Sequence, residues 1–279
     1  MNGGESLGRA ANDTTRRSNL HEKEERDLTS DNRSVSDLVG FSLTFGIIIV
    51  SVGLVATVGF AQLEDFRDSQ QLDNAEQSFE ILGQSLESIE EGTAVTRIET
   101  LDLAGGAIGI ERGSEVDITI NSPSGSSYSR TVPLNALVYA SGSTNVSYES
   151  GATFRQQENG GIVNTEPKFV CTDDVAVLSF VTIDSSERGS IQSDGPLEIT
   201  ATHNGTELIY PVNRTGTGSA SDANKVELEF SSPRESLWMD HFERADNWTA
   251  PGSTATCGVG GTLDRVYVRQ TNVSISFAS

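Results

Sequence analysis

From Leu38 to Ala61 the chain reads LVGFSLTFGIIIVSVGLVATVGFA, 24 residues without a charge. A helix needs about 20 predominantly apolar residues to cross the hydrocarbon core of a bilayer. A soluble helix of this length would show a polar face, and this run has none. Gly40, Gly46, Gly53 and Gly59 lie inside it. Glycine weakens a helix in water but lets helices approach closely in a membrane. Gly46 and Gly53 are seven apart and share a face, so they are candidates for a helix-packing stripe. The run is too long, and lacks a clean small-residue cleavage site after it, for a secretory signal. It reads as a membrane span, with lipid as its first partner.

The flanks give the orientation. Lys23, Arg26 and Arg33 lie within 15 residues before the span, and Arg67 is the sole basic residue in the first 20 after it. Basic residues stay on the cytoplasmic side. The N-terminus is therefore expected in the cytoplasm and the rest outside. Sequons at Asn145, Asn204, Asn213, Asn247 and Asn272 fall after the span, where glycosylation is possible.

Four parts follow along the chain. Residues 1–34 are polar, with no apolar periodicity, and are expected to be a disordered cytoplasmic leader. Residues 35–61 are the hydrophobic helix. Residues 62–91 contain no proline and place Leu72, Phe79, Leu82, Leu86 and Ile89 at spacings of 7, 3, 4 and 3, an amphipathic helix. That stripe serves either to lie on the chain's own domain or to pack on copies of itself. Gly92 ends it, and from Val95 the period becomes two.

Residues 92–279 read as many short strands: Ala107–Ile110, Glu115–Ile120, Ala136–Ala140, Asn145–Tyr148, Val175–Ile183, Leu197–His203, Glu207–Tyr210, Lys225–Phe230, Arg265–Gln270 and Val273–Ala278. Turns are expected at Ser122-Pro123-Ser124-Gly125, at Asp194-Gly195-Pro196, and at Asn204-Gly205, the last as a type I′ hairpin. A short helix is expected from Ser232, as N-cap, and Pro233 to Arg244, with Trp238 as a core anchor. The fold class is α+β. A long hydrophobic N-terminal helix, extended by an amphipathic one, leads into a mostly antiparallel β-sandwich-like domain with one short C-terminal helix.

Composition limits the chemistry. The chain carries 19 basic and 40 acidic side chains, a net charge of −21, and only three lysines. Such a surface repels phosphate, so nucleic acid is not an expected partner. A carboxylate-rich, lysine-poor surface suits concentrated salt, where screening over a few Å removes most self-repulsion. There is no GxSxG, P-loop, HExxH or GxGxxG motif, so no enzyme activity, cofactor or metal is expected. His241 is the best acid–base candidate, though its apolar helical setting fits a packed histidine better. Asp173-Asp174 reads as a solvated acidic turn. Cys171 and Cys257 both fall on the expected outside, and either pair there or stay as isolated buried thiols.

Arg33-Ser34-Val35-Ser36-Asp37-Leu38-Val39-Gly40 and the apolar run after it resemble the N-terminus of haloarchaeal type IV pilins and pilin-like proteins. That family carries a basic residue, a small residue, V-S-P-V-I-G and a hydrophobic helix. Here Asp37 stands in place of the proline and Ser34 in place of the commoner Ala or Gly. The resemblance implies cleavage by a prepilin peptidase between Ser34 and Val35 and assembly with other pilin-like subunits through the helix. It implies a registering role for Asp37, the third mature residue. The stretch VELEFSSPRESLWMDHFERADNW is similar to a segment of haloarchaeal pilin-like membrane proteins of uncharacterised function. The competing expectation is an uncleaved, signal-anchored surface protein whose β domain binds an unknown ligand.

Overall fold

The computed structural model describes residues 12–184, 189–193, 195–212, 223–261 and 263–278, leaving out the side chains of 12–35 and of 61, 62, 64, 65, 67 and 68. The chain divides into two compact units, Met1–Phe66 and Arg67–Ser279. Helix α1 spans Asn12–Glu90. The described backbone of the expected leader is therefore helical rather than irregular. No glycine or proline interrupts the sequence between Asn12 and Val39, and its Glu, Lys and Arg residues are good helix formers. Residues 1–11 of that leader lie outside the described set.

In the first unit, Ser36–Phe60 is long and apolar enough to cross a membrane, and its large apolar side chains are exposed. Three of its hydroxyls turn inward to the helix backbone. Thr44 Oγ1 donates to the Gly40 carbonyl at 2.8 Å, Ser51 Oγ to Ile48 at 2.9 Å and Thr57 Oγ1 to Leu54 at 3.0 Å. A polar group bonded within its own helix needs nothing from lipid.

The second unit is mostly β. Its first strands are β1 (Thr96–Asp102), β2 (Ala107–Asn121), β3 (Ser127–Ser141), β4 (Thr144–Glu149) and β5 (Ala152–Gln157). Next come β6 (Gly160–Thr165), β7 (Val170–Cys171), β8 (Val175–Ile183), β9 (Gly189–Gln192) and β10 (Pro196–Tyr210). After β11 (Lys225–Ser231) come helix α2 (Glu235–Arg244), then β12 (Trp248–Thr249), β13 (Thr254–Cys257) and β14 (Arg265–Ala278). A five-stranded sheet runs β1-β10-β14-β8-β7, and a nine-stranded sheet runs β12-β13-β11-β2-β3-β4-β5-β6, with β9 also on β2. Pairing is antiparallel except between β8 and β14.

These sheets do not enclose one sandwich core. On β3, Val132 and Leu134 belong to one core cluster and Leu137 and Tyr139 to another. Even and odd positions of a strand point to opposite faces, so β3 changes its buried face partway along. The bulge at Arg112–Glu115 of β2 lies opposite that point. β8 does the same, with Leu178 and Phe180 in the first core and Val181 and Ile183 in the second. One core lies under α2. The other is closed by the C-terminal part of α1, whose Ala75, Phe79, Leu82, Leu86 and Ile89 are buried there. The amphipathic stripe is thus consumed by the chain's own domain. Gly92, at φ +76°, ends the helix with its N–H on the Ile89 carbonyl at 3.1 Å.

Three expected breaks are corrected. Leu197–His203 and Glu207–Tyr210 are one strand, β10, not a hairpin about Asn204-Gly205. Both halves pair with the long β14, as in Thr202↔Ser274 and Glu207↔Gln270. That ladder satisfies more backbone than a local hairpin, and Gly205 at φ +150° absorbs a bulge in place of a turn. Ala107–Ile110 and Glu115–Ile120 likewise merge into β2, and Arg265–Gln270 and Val273–Ala278 into β14. The Ser122–Gly125 turn is present, with Gly125 N–H on the Ser122 carbonyl at 2.9 Å. Gly195-Pro196 leads into β10, and Asp194 of that expected turn lies outside the described residues. α2 begins one turn's fraction late: Arg234, not Ser232, is its N-cap, and the Ser232 hydroxyl accepts from the Arg234 N–H at 2.9 Å.

Candidate functional site

The apolar helix is the first candidate. Ser34 and Val35 lie in the α1 backbone, with side chains outside the described set. Asp37 is exposed at the start of the span. A Cβ built on Gly40, Gly46, Gly53 or Gly59 meets nothing within 4 Å. The notch at each glycine is therefore unfilled within the chain, and Gly46 and Gly53 share one face.

In the β-rich unit the sequons separate by environment. Asn145 and Asn204 are exposed. Asn247 is exposed at φ +63°, and its Nδ2 donates to the Cys171 carbonyl at 3.1 Å. Asn272 is half-buried mid-strand, its Oδ1 accepting from Thr182 Oγ1 at 2.5 Å and Gln270 Nε2 at 2.9 Å. Asn213 lies outside the described residues.

Cys171 and Cys257 pair. The bond joins β7 at the edge of the five-stranded sheet to β13 of the nine-stranded sheet, with Cα atoms 6.0 Å apart. It closes a loop of 86 residues, which on chain-entropy grounds stabilises the domain by roughly 4 kcal/mol.

His241 is buried on α2. Neither ring nitrogen has a hydrogen-bond partner, and Nδ1 lies 3.8 Å from Glu166 Oε1. Burial pushes its pKa down, against the pull of the Glu166 charge. Among the described residues no three His, Cys, Asp or Glu side chains converge for an ion. Asp173 and Asp174 are exposed, and the Asp174 carbonyl accepts the N–H groups of Asp264 and Arg265 at 2.8 and 3.1 Å. They form a turn.

Sequence reasoning missed one polar centre. Glu149, at the end of β4, is fully buried. Its Oε1 accepts the Ser114 N–H at 3.1 Å, the Ser114 hydroxyl and Trp238 Nε1–H at 3.1 Å, while Arg234 Nε lies 3.2 Å from Oε2. A carboxylate in strand alternation carries no sequence mark of burial. The indole N–H of Trp238, which needs a partner once buried, was the available signal. Trp238 is otherwise the core anchor expected of it, ringed by Phe154, Phe169, Phe230 and Phe242. The centre ties α2 to β2 and β4 and offers no open face to a substrate.

Two grooves remain. One of about 310 Å³ lies over the β5–β6 hairpin by Arg155, Asn159 and Ile162. The other, about 210 Å³, lies between the end of α1 and the sheets by Glu87, Tyr148, Glu166 and Lys168. Lys168 is ion-paired there to Glu87 and Glu91, and Glu90 to Arg269 at 3.0 Å. Burial and the Glu90 charge push the Tyr148 hydroxyl far above its ordinary pKa, so it is not a base.

A family's sequence model matches residues 33–276, nearly all of the chain beyond the leader. The chain belongs to the family of unknown function DUF7289. The DUF7289 match begins at Arg33, the basic residue beside the Ser34–Val35 bond, and takes in both the apolar helix and the β-rich unit. No curated protein and no solved structure matches the chain.

Proposed function

We propose that this DUF7289 chain is a membrane-anchored, surface-exposed type IV pilin-like structural subunit of a haloarchaeon. A prepilin peptidase cuts between Ser34 and Val35, and the mature chain assembles with other pilin-like subunits through its hydrophobic helix. The observation that carries the reading is the apolar span itself. Its large side chains are all exposed and the face shared by Gly46 and Gly53 is unfilled, while the amphipathic stripe after it is already spent on the chain's own core. The span is the longest apolar surface that the described chain leaves uncovered. A lipid-soluble helix can move from bilayer into a bundle of like helices and keep its apolar surface buried in both.

Two further observations support the outward placement of the β-rich unit. The basic residues gather before the span, and the Cys171–Cys257 bond suits an oxidising exterior. The buried centre around Glu149 and the paired groups in the grooves read as structural, consistent with a non-enzymatic role.

The test is the mature N-terminus of the membrane-extracted protein, read by mass spectrometry. Val35 as first residue, lost when the peptidase is absent, is the expected result. A mature chain that keeps residues 1–34 overturns the reading in favour of a signal-anchored surface protein.

A further inference from the structure

β1 is an open edge. The five-stranded sheet ends in β1 on one side and the two-residue β7 on the other, and the nine-stranded sheet ends in the two-residue β12 and in β6, which opens on Gly160-Gly161. β1 is seven residues long, without proline, glycine or bulge. Exposed edges of this length recruit another strand unless something blocks them.

The register of β1 on β10 shows which groups are free. His203 N–H donates to the Val95 carbonyl at 2.9 Å, and Leu103 N–H to the Gly195 carbonyl at 3.4 Å. Both fit the pairing Thr96↔Thr202 to Asp102↔Pro196, so the odd residues of β1 bond to β10. The N–H and C=O groups of Thr96, Ile98 and Thr100 therefore point to the open side. Ile98 is 57% exposed, and Ile81 of α1, 46% exposed, borders the same edge beside Thr100.

The side chains around Ile98 are complementary to themselves. If two β1 strands meet antiparallel with Ile98 opposite Ile98, then Arg97 stands opposite Glu99 of the other copy, and Glu99 opposite its Arg97. The free groups of Thr96 meet those of Thr100. This register places the free even residues in the hydrogen-bonded positions and the two ion pairs in the intervening positions, where side chains approach most closely. Arg97 has no carboxylate partner among the described residues, and only one oxygen of Glu99 is engaged, by Ser85 Oγ at 2.5 Å. A charged edge repels most strands, and this one fits its own copy.

We infer that β1 is a homotypic docking edge at which two copies of this chain join their five-stranded sheets across a two-fold axis at Ile98. The contact does not depend on leader cleavage. A helix that confines both copies to one membrane raises their effective concentration, so a short edge suffices.

The test uses the full chain in native membranes. The described cysteines are both in the disulfide, so a cysteine at an exposed edge position is a unique thiol. In an antiparallel hydrogen-bonded pair the Cα atoms lie about 5.5 Å apart, within disulfide range. Ile98→Cys is expected to give a covalent dimer on mild oxidation. Thr96→Cys and Thr100→Cys are each expected to stay monomeric alone, because like positions lie about 13 Å apart along the strands, and to cross-link when co-expressed. In the Ile98→Cys background, Arg97→Glu or Glu99→Arg places like charges opposite each other and is expected to cut the dimer yield about fivefold. The double exchange Arg97→Glu/Glu99→Arg is expected to restore it. If Ile98→Cys cross-links no more than a cysteine at exposed Ser126, or if the double exchange fails to rescue, the proposal is overturned. Val35 or Met1 at the mature N-terminus leaves this readout unaffected, so the two proposals fail separately.

Discussion

Arg234 and Glu149 form an ion pair in full burial, Nε to Oε2 at 3.2 Å, one at the N-cap of α2 and the other at the end of β4. The pair spans 85 residues of sequence and sits against the Trp238 indole and the Ser114 backbone. It is the polar bolt of a helix that otherwise holds by aromatic packing. Gly113 is required beside it, because a Cβ there would come within 2.7 Å of Glu149 Oε2.

Removing one partner should cost far more than removing both. Arg234→Met leaves a buried carboxylate without its cation, an expected loss of roughly 3–5 kcal/mol. Glu149→Leu leaves the guanidinium stranded, with a similar loss. The double variant Glu149→Leu/Arg234→Met is expected to recover most of that. Urea unfolding followed by tryptophan fluorescence measures it, and additive losses would show that the two groups do not act as a pair.

The sequence made some of this legible and hid the rest. The apolar run, the Leu72–Ile89 stripe, the Gly92 stop and the Trp238 anchor all lie in local periodicity, which sequence displays directly. The break expected at Asn204-Gly205 is a bulge, because a bulge and a turn share the same residues. What decided it was the length of β14 available to pair, a non-local fact. The Glu149 centre was hidden for the same reason: its partners come from β2, α2 and the end of β4. β1 was hidden by its exposure, since Thr96, Ile98 and Thr100 face out and leave only Leu101 to signal the core.

His241 should make stability depend on pH above the range where carboxylates titrate. Its folded pKa lies below the ordinary 6.5 because burial disfavours the charged ring, with Glu166 opposing and Arg244 assisting that effect. The unfolded chain then takes up the proton first as pH falls. Stability is whole above about pH 6.5 and declines below it until the folded pKa is reached, with a slope of at most about 1.4 kcal/mol per pH unit. His241→Leu is expected to flatten the profile between pH 7 and 5, read as the urea midpoint at each pH. An unchanged profile would exclude His241 as its source.

Sequon occupancy should follow the local bonding. Glycopeptide mass spectrometry of the surface protein is expected to find glycan on Asn145 and Asn204, which are exposed. Asn272 is expected bare, because its amide is held between Thr182 and Gln270 in the middle of a strand. Asn272→Asp should then leave the protein's mobility unchanged, whereas Asn204→Gln should shift it. A glycan on Asn272 would contradict this placement.

The face shared by Gly46 and Gly53 offers the sharpest separation of folding from assembly. Gly46 and Gly53 have no neighbour for a Cβ to strike, so Gly46→Leu and Gly53→Leu should insert normally and leave the β-rich unit melting as before. If copies of the helix pack through that face, each leucine holds the backbones apart and removes close contacts. Assembled material should fall about tenfold, the factor that about 1.4 kcal/mol of lost packing produces. The assembled fraction is measured by sedimentation after shearing, alongside a thermal melt of the same preparation. Leucine at exposed Val55, already a large residue on the same helix, serves as the control and is expected to assemble as wild type. Equal assembly by all three variants would place the packing face elsewhere on the span.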